Sequence, residues 1–328
     1  MHHWLEAGAE MPVQKQILFL GDDITHDGTY ISLINAWLHL QAPQADIRLT
    51  NLGLNSETVS SLSEPTSPFP RPCLFGRLES LLAAVSERPE TRPDWVVCCY
   101  GMNDAIYHPP ANVRFEAYQS GICRLAKRIH AFGARLVLVT PPPFDTDSYN
   151  PTRLALADAP IFACDSTCRD YDGVLAAYSE WLLSEGTQLA DRVVDIRSPL
   201  LAQREACRQT DPSWHSGDGI LPHADRHWII ARTLIQALFH VPVERPLRCV
   251  VAPDESDAWL CLRDADLRLS AAWREHVGHS LPIKADVTPL ADALARATAE
   301  APGIVEQFAR EADTAHDELS FWRGHLRH

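Results

Sequence analysis

The longest apolar runs in this 328-residue chain are strand-sized, whereas a membrane-spanning helix needs about 20 consecutive apolar residues. Residues 1–16 contain no stretch that would serve as the apolar core of a secretory leader. Basic runs are missing too: 29 Lys and Arg stand against 43 Asp and Glu, a formal net charge of −14. Such a surface repels phosphate backbones and anionic lipid, so neither nucleic acid nor a membrane is expected as a partner. A metal-ligand quartet is lacking as well. Cys164 and Cys168 have the spacing of half a site, but no second Cys/His pair lies nearby. No metal and no cofactor are therefore expected. The nine cysteines are an odd count, and Cys98 and Cys99 fall inside an apolar run. They read as reduced, buried small hydrophobes in a cytoplasmic protein. No internal repeat is present.

What remains is an ordinary globular composition, 46% hydrophobic and 22% charged. Short apolar runs alternate with segments of helical spacing. Strands are expected at residues 16–20, 46–50, 94–100, 134–140 and 191–196. Helices are expected near 30–40, 74–86, 114–132, 174–184 and 225–239. Runs apolar throughout suit strands buried on both faces of a parallel sheet. The alternation predicts a three-layer α/β/α, flavodoxin-like fold with a five-stranded parallel sheet of order 2-1-3-4-5. The stretch 63–72 is rich in proline and serine and reads as a loop. From residue 242 the pattern changes to helices only, around 267–277, 290–300 and 305–321. The chain thus divides into a domain over 12–241 and a helical C-terminal extension over 242–328. In sheets of this kind the ligand crevice lies beyond the carboxyl ends of the strands, where Gly21-Asp22-Asp23, Gly53 and Gly101-Met102-Asn103-Asp104 fall.

These segments resemble the four sequence blocks of the SGNH (GDSL-type) ester hydrolases. Phe19-Leu20-Gly21-Asp22-Asp23-Ile24-Thr25 is similar to the first block, with its Gly-Asp-Ser core. Asn51-Leu52-Gly53 is similar to the second, and Gly101-Met102-Asn103-Asp104 to the third. Asp218-Gly219-Ile220-Leu221-Pro222 is similar to the last, an Asp-x-x-His followed by Pro. The resemblance covers roughly residues 15–240, and the stretch 272–279 resembles an extension of one bacterial subgroup. It implies that the first-block serine attacks an acyl carbonyl. The oxyanion hole would comprise that residue's N–H, the Gly53 N–H and the Asn103 side chain. The last-block histidine would act as base, oriented by Asp218.

Two positions depart from that pattern: Asp23 stands where the serine belongs, and Leu221 where the histidine belongs. Leucine cannot accept a proton. His223 lies two positions on and faces elsewhere on a helix. His215 sits in a loop, His26 at a helix start, and His227 within the last helix beside Trp228, as a packed structural residue. Asp22 and Asp104 read as structural carboxylates bonded to backbone. Together with Asp23 and Asp218 they also raise the alternative of a hard-cation site. The expectation is an ester (acyl or acetyl) hydrolase by descent, reduced to a pseudoenzyme that keeps its ligand pocket and oxyanion hole. Its ligand would be a small molecule such as an acyl ester or acetylated carbohydrate. The alternative is an active hydrolase using Asp23 as nucleophile or general base.

Overall fold

A computed structural model describes residues 14–314, apart from 44, 157–158, 244–245 and 252. The five strands are β1 (Gln14–Gly21), β2 (Asp46–Asn51), β3 (Trp95–Cys99), β4 (Arg135–Val139) and β5 (Arg192–Val194). They form one sheet of order β2-β1-β3-β4-β5, with every pairing parallel. The expected strand order and α/β class are those observed. Side chains alternate across a strand, so β1, β3 and β4 each feed two cores. Ile17, Phe19, Val97, Val137 and Val139 face one cluster. Leu18, Leu20, Val96, Leu136 and Leu138 face the other.

Helices cover both faces: α1 (Asp23–Asp27), α2 (Thr29–Gln41), α3 (Leu78–Ala84), α4 (Asn112–Phe132), α5 (Tyr171–Ser184), α6 (Arg197–Thr210) and α7 (Ala224–Phe239). Helix α6 was not anticipated from the sequence. Only Arg197 and Leu200 of it are buried, so it carries almost no apolar period. No helix among the described residues is long and apolar enough to cross a membrane.

The extension contains α8 (Arg248–Val251), α9 (Asp257–Val277) and α10 (Leu290–Thr314). Helix α9 starts ten residues before the expected 267. Helix α10 runs unbroken through Pro302, where a break was expected between residues 300 and 305; residues 315–321 of that expectation lie outside the described residues. Proline removes one backbone donor inside a helix. Here Ala293, Ile304 and Phe308 are all buried, so one apolar face continues across the proline and packing overrides local propensity. Ala258, Trp259, Leu262, Ile304 and Phe308 belong to the cluster that holds α2 and α7, and Trp273 and Val277 belong to the other. The extension therefore shares both cores of the sheet.

Candidate functional site

Strand β1 turns into α1 at Gly21, where a Cβ atom would sit 2.2 Å from Thr25 Oγ1 and 2.7 Å from the Cys99 carbonyl oxygen. Gly53 is as crowded: a Cβ there would lie 2.6 Å from the His26 nitrogen. Only glycine lets α1 lie directly against both backbones. Asp22 caps α1 by accepting from the Ile24 N–H at 3.4 Å. Burial, then the charges of Asp23 and Asp104, push its carboxyl well above the usual range.

Asp23 turns toward β3. Its Oδ2 accepts from Asn103 Nδ2 at 2.6 Å and from the Ser56 N–H at 3.0 Å. Ser56 has φ 62°, a left-handed conformation uncommon for a residue with a side chain. The turn that holds it is closed by the Glu57 N–H on the Leu54 carbonyl at 3.2 Å. A buried network anchors this turn from below. Arg77 donates to Glu57 at 2.6 and 2.8 Å and to the Leu52 carbonyl at 2.7 Å, and the Tyr100 hydroxyl donates to Glu57 at 2.7 Å. Asn103 is 1% exposed. Its Oδ1 accepts from Arg71 Nη1 and from the Tyr107 hydroxyl, each at 3.0 Å.

Gly53 itself faces inward. Its N–H donates to Asn51 Oδ1 at 2.9 Å, and its carbonyl lies 3.3 Å from His26 Nδ1 and 3.4 Å from Arg274 Nη1 of α9. The backbone donor that reaches Asp23 is thus Ser56 N. Asp218 lies on an exposed turn and caps it: Oδ1 accepts from the Ile220 and Leu221 N–H groups at 2.9 and 2.7 Å. Leu221 is 41% exposed. Among the described residues no hydrogen bond joins Asp218 to Asp23, Gly53 or Asn103. The turn is docked instead on the loop after β4, where the Asp145 N–H donates to the Gly219 carbonyl at 2.9 Å and Asp145 is held by Arg208 and Ser216.

The histidines divide by environment. His26 is half-buried, and burial followed by the Arg274 charge lowers its pKa to about 4. His227 is buried, stacks on Tyr30 and lies 3.6 Å from Asp27. Burial takes its pKa to about 4 as well. His215 and His223 are exposed. Asp104 Oδ1 accepts from the Val59 and Ser60 N–H groups at 2.8 Å, and burial raises its carboxyl to about 6. Among the described residues no group of three or more His, Cys, Asp or Glu is arranged to hold a metal ion. All nine cysteines are free; Cys164 is exposed and Cys168 buried. Ser56, Glu64, Arg71 and Tyr107 carried no recognisable signal. Arg71 is a single basic residue between Pro70 and Pro72, and its partners are distant in sequence.

No curated protein matches the chain. Among solved structures, a gut microbial diltiazem-metabolizing enzyme, BT4096, aligns with a TM-score of 0.52 and 19% identity. The match covers 70% of this chain and 48% of that one, so the chain spans about half of that protein's length. LAE5, an alpha/beta hydrolase enzyme from the metagenome of Lake Arreo, Spain, gives 0.48 and 18%, covering 70% and 97%. A catalytic mutant of Axe2, an acetylxylan esterase from Geobacillus stearothermophilus, gives 0.45 and 19%, covering 72% and 100%. At 19% identity the likeness to the first of these is one of fold alone. The GDSL-like Lipase/Acylhydrolase model, however, matches residues 19–227, from β1 into α7 and across more than half the chain, and on that ground this protein belongs to the GDSL-like lipase/acylhydrolase family.

Proposed function

We propose that this chain is a family member that no longer hydrolyses esters and keeps the site for binding a small neutral ligand. One observation carries the reading: the Asp23 carboxylate is hydrogen-bonded to Asn103 Nδ2 and Ser56 N. In an acyl-transfer enzyme of this family, the Asn side chain at this place would help receive the developing oxyanion. Here the chain's own anion already occupies that donor, together with the Ser56 N–H. With Leu221 in place of the last-block histidine, Asp218 is hydrogen-bonded to the backbone of its own turn, and no hydrogen bond among the described residues joins it to an imidazole. Losing the nucleophile or base of a serine hydrolase costs on the order of a million-fold in turnover.

A fixed negative charge at this place disfavours anionic ligands and favours groups that donate hydrogen bonds to it. Hydroxyl-bearing acyl esters and acetylated carbohydrates are the class that fits. The test is hydrolysis of p-nitrophenyl acetate together with labelling by a serine-directed fluorophosphonate. Neither is expected above background. Turnover at the level of an intact serine esterase, abolished by Asp23→Asn, would overturn the reading and assign Asp23 as nucleophile or general base.

A further inference from the structure

Arg71 belongs to the proline- and serine-rich loop and has no role in the proposed function, yet its side chain is only 5% exposed. Glu64, 1% exposed, holds it through two bonds, Nε to Oε2 at 2.6 Å and Nη2 to Oε1 at 2.7 Å. That leaves Nη1 for Asn103 Oδ1 at 3.0 Å. The guanidinium also lies 5.3 Å from the centre of the Tyr107 ring, whose hydroxyl donates to the same oxygen.

A carboxamide has two ends of similar shape and opposite hydrogen-bonding character. Two donors on Oδ1, one of them cationic, fix which end is which. A flipped amide would set its NH2 group against Arg71 and Tyr107 and its oxygen against the Asp23 carboxylate. The same donors draw electron density toward Oδ1 and strengthen Nδ2–H as a donor, as hydrogen bonds in series do. A buried ion pair is weak evidence for stability, because desolvation offsets its attraction. Its contact with the site gives it a positional role.

We propose that Arg71, anchored by Glu64, is a positioning residue that locks the Asn103 amide with its NH2 group toward Asp23, so that Asn103 Nδ2 and Ser56 N form a two-donor carboxylate site that Asp23 fills. This rests on the reading of Asp23 as the occupant of those donors. Removing the occupant exposes the site to a free carboxylate. Acetate supplies the carboxylate and methyl carbons that Asp23→Gly lacks.

The experiment is an NMR titration of Asp23→Gly with acetate at pH 6, following the Asn103 side-chain NH2 signals. Acetate is expected to bind this variant in the millimolar range and to shift those signals, while the wild type shows neither effect. Adding Arg71→Met should weaken acetate at least about tenfold, a difference of about 1.4 kcal/mol, and should collapse the separation of the two NH2 resonances. Arg71→Lys, which keeps the charge without the planar fork, should restore part of the affinity. Should the orphaned Glu64 unfold Arg71→Met, Glu64→Leu/Arg71→Met removes both charges and makes the same test. A folded Arg71 variant that binds acetate as tightly as Asp23→Gly alone, with Asn103 signals unchanged, overturns the proposal. So does Asp23→Gly that ignores acetate. Either failure in a protein inert toward p-nitrophenyl acetate leaves the non-catalytic reading standing, whereas esterase turnover by the wild type removes that reading separately.

Discussion

Burial and hydrogen bonding oppose each other at Asp104. The carboxyl is fully enclosed; among the described residues its Oδ2 has no hydrogen-bond donor, while Oδ1 takes two backbone donors. Burial wins, and the pKa rises from 3.8 to about 6. The folded state therefore holds this proton more tightly than the unfolded chain. The contribution of Asp104 to stability is full below about pH 4 and is lost as pH rises through 6. Asp104→Asn keeps an acceptor for Val59 and Ser60 and removes the titration. Each tenfold change in proton affinity corresponds to about 1.4 kcal/mol, so relative to wild type the variant should gain about 2 kcal/mol on going from roughly pH 4.5 to 7.5. Urea melts of both proteins at the two pH values measure this, and a difference that does not change with pH would refute it. A second residue-scale expectation concerns reversion. Asp23→Ser supplies a hydroxyl without a base, and Leu221→His a base without a hydroxyl. Both bonds to Asp218 use Oδ1, so Oδ2 remains for an imidazole at position 221. Triad members act as a unit, so the double variant should hydrolyse p-nitrophenyl acetate at a rate well beyond the sum of the single variants. A folded double variant as inert as wild type would mean that the site has drifted further than these two side chains.

At the scale of elements, α9 is the piece whose placement the sequence disclosed least. Its Arg263 donates to the Asp27 carbonyl at 2.7 Å and to Thr29 Oγ1 at 2.9 Å, holding the end of the helix that carries Asp23. Its Arg274 reaches the Gly53 carbonyl. Trp273 is buried in the same core as Tyr100 and Leu138. Deleting residues 242–328 should thus expose both cores and abolish cooperative unfolding, as scanning calorimetry of residues 1–241 would show; an undiminished transition would make the extension an independent appendage. Strands β1, β3 and β4 were legible because a strand buried on both faces is a continuous apolar run, as at Ile17-Leu18-Phe19-Leu20. That Asp23 and Asn103 meet was legible because each follows a strand at the sheet's carboxyl edge. Helix α6 was not, having one buried apolar side chain. Nor was the continuity of α10, where Pro302 reads as a stop and only tertiary packing shows otherwise. The pairing of Arg71 with Glu64 and Asn103 joins residues 7 and 32 positions apart, and no periodicity reports a contact of that kind.

At the scale of the whole molecule, the parallel sheet brings the ends of β1 and β3 side by side, with Gly21 in register with Cys99, so the segments that follow them share one edge. The net charge of −14 adds a diffuse repulsion of anions to the local one at Asp23. The bond between Asp23 and Asn103 has a consequence for competition. A carboxylate tethered to the backbone by one methylene does not leave its donors by diffusion. Its effective concentration there is set by geometry, and even loosely tethered groups reach on the order of millimolar, with well-oriented ones far higher. A dissolved organic acid must outcompete a partner that is never diluted. The occupancy of Asn103 Nδ2 and Ser56 N is therefore insulated from changes in the concentration of small carboxylates around the protein, and a ligand that engages this site has to approach Asp23 as a hydrogen-bond donor.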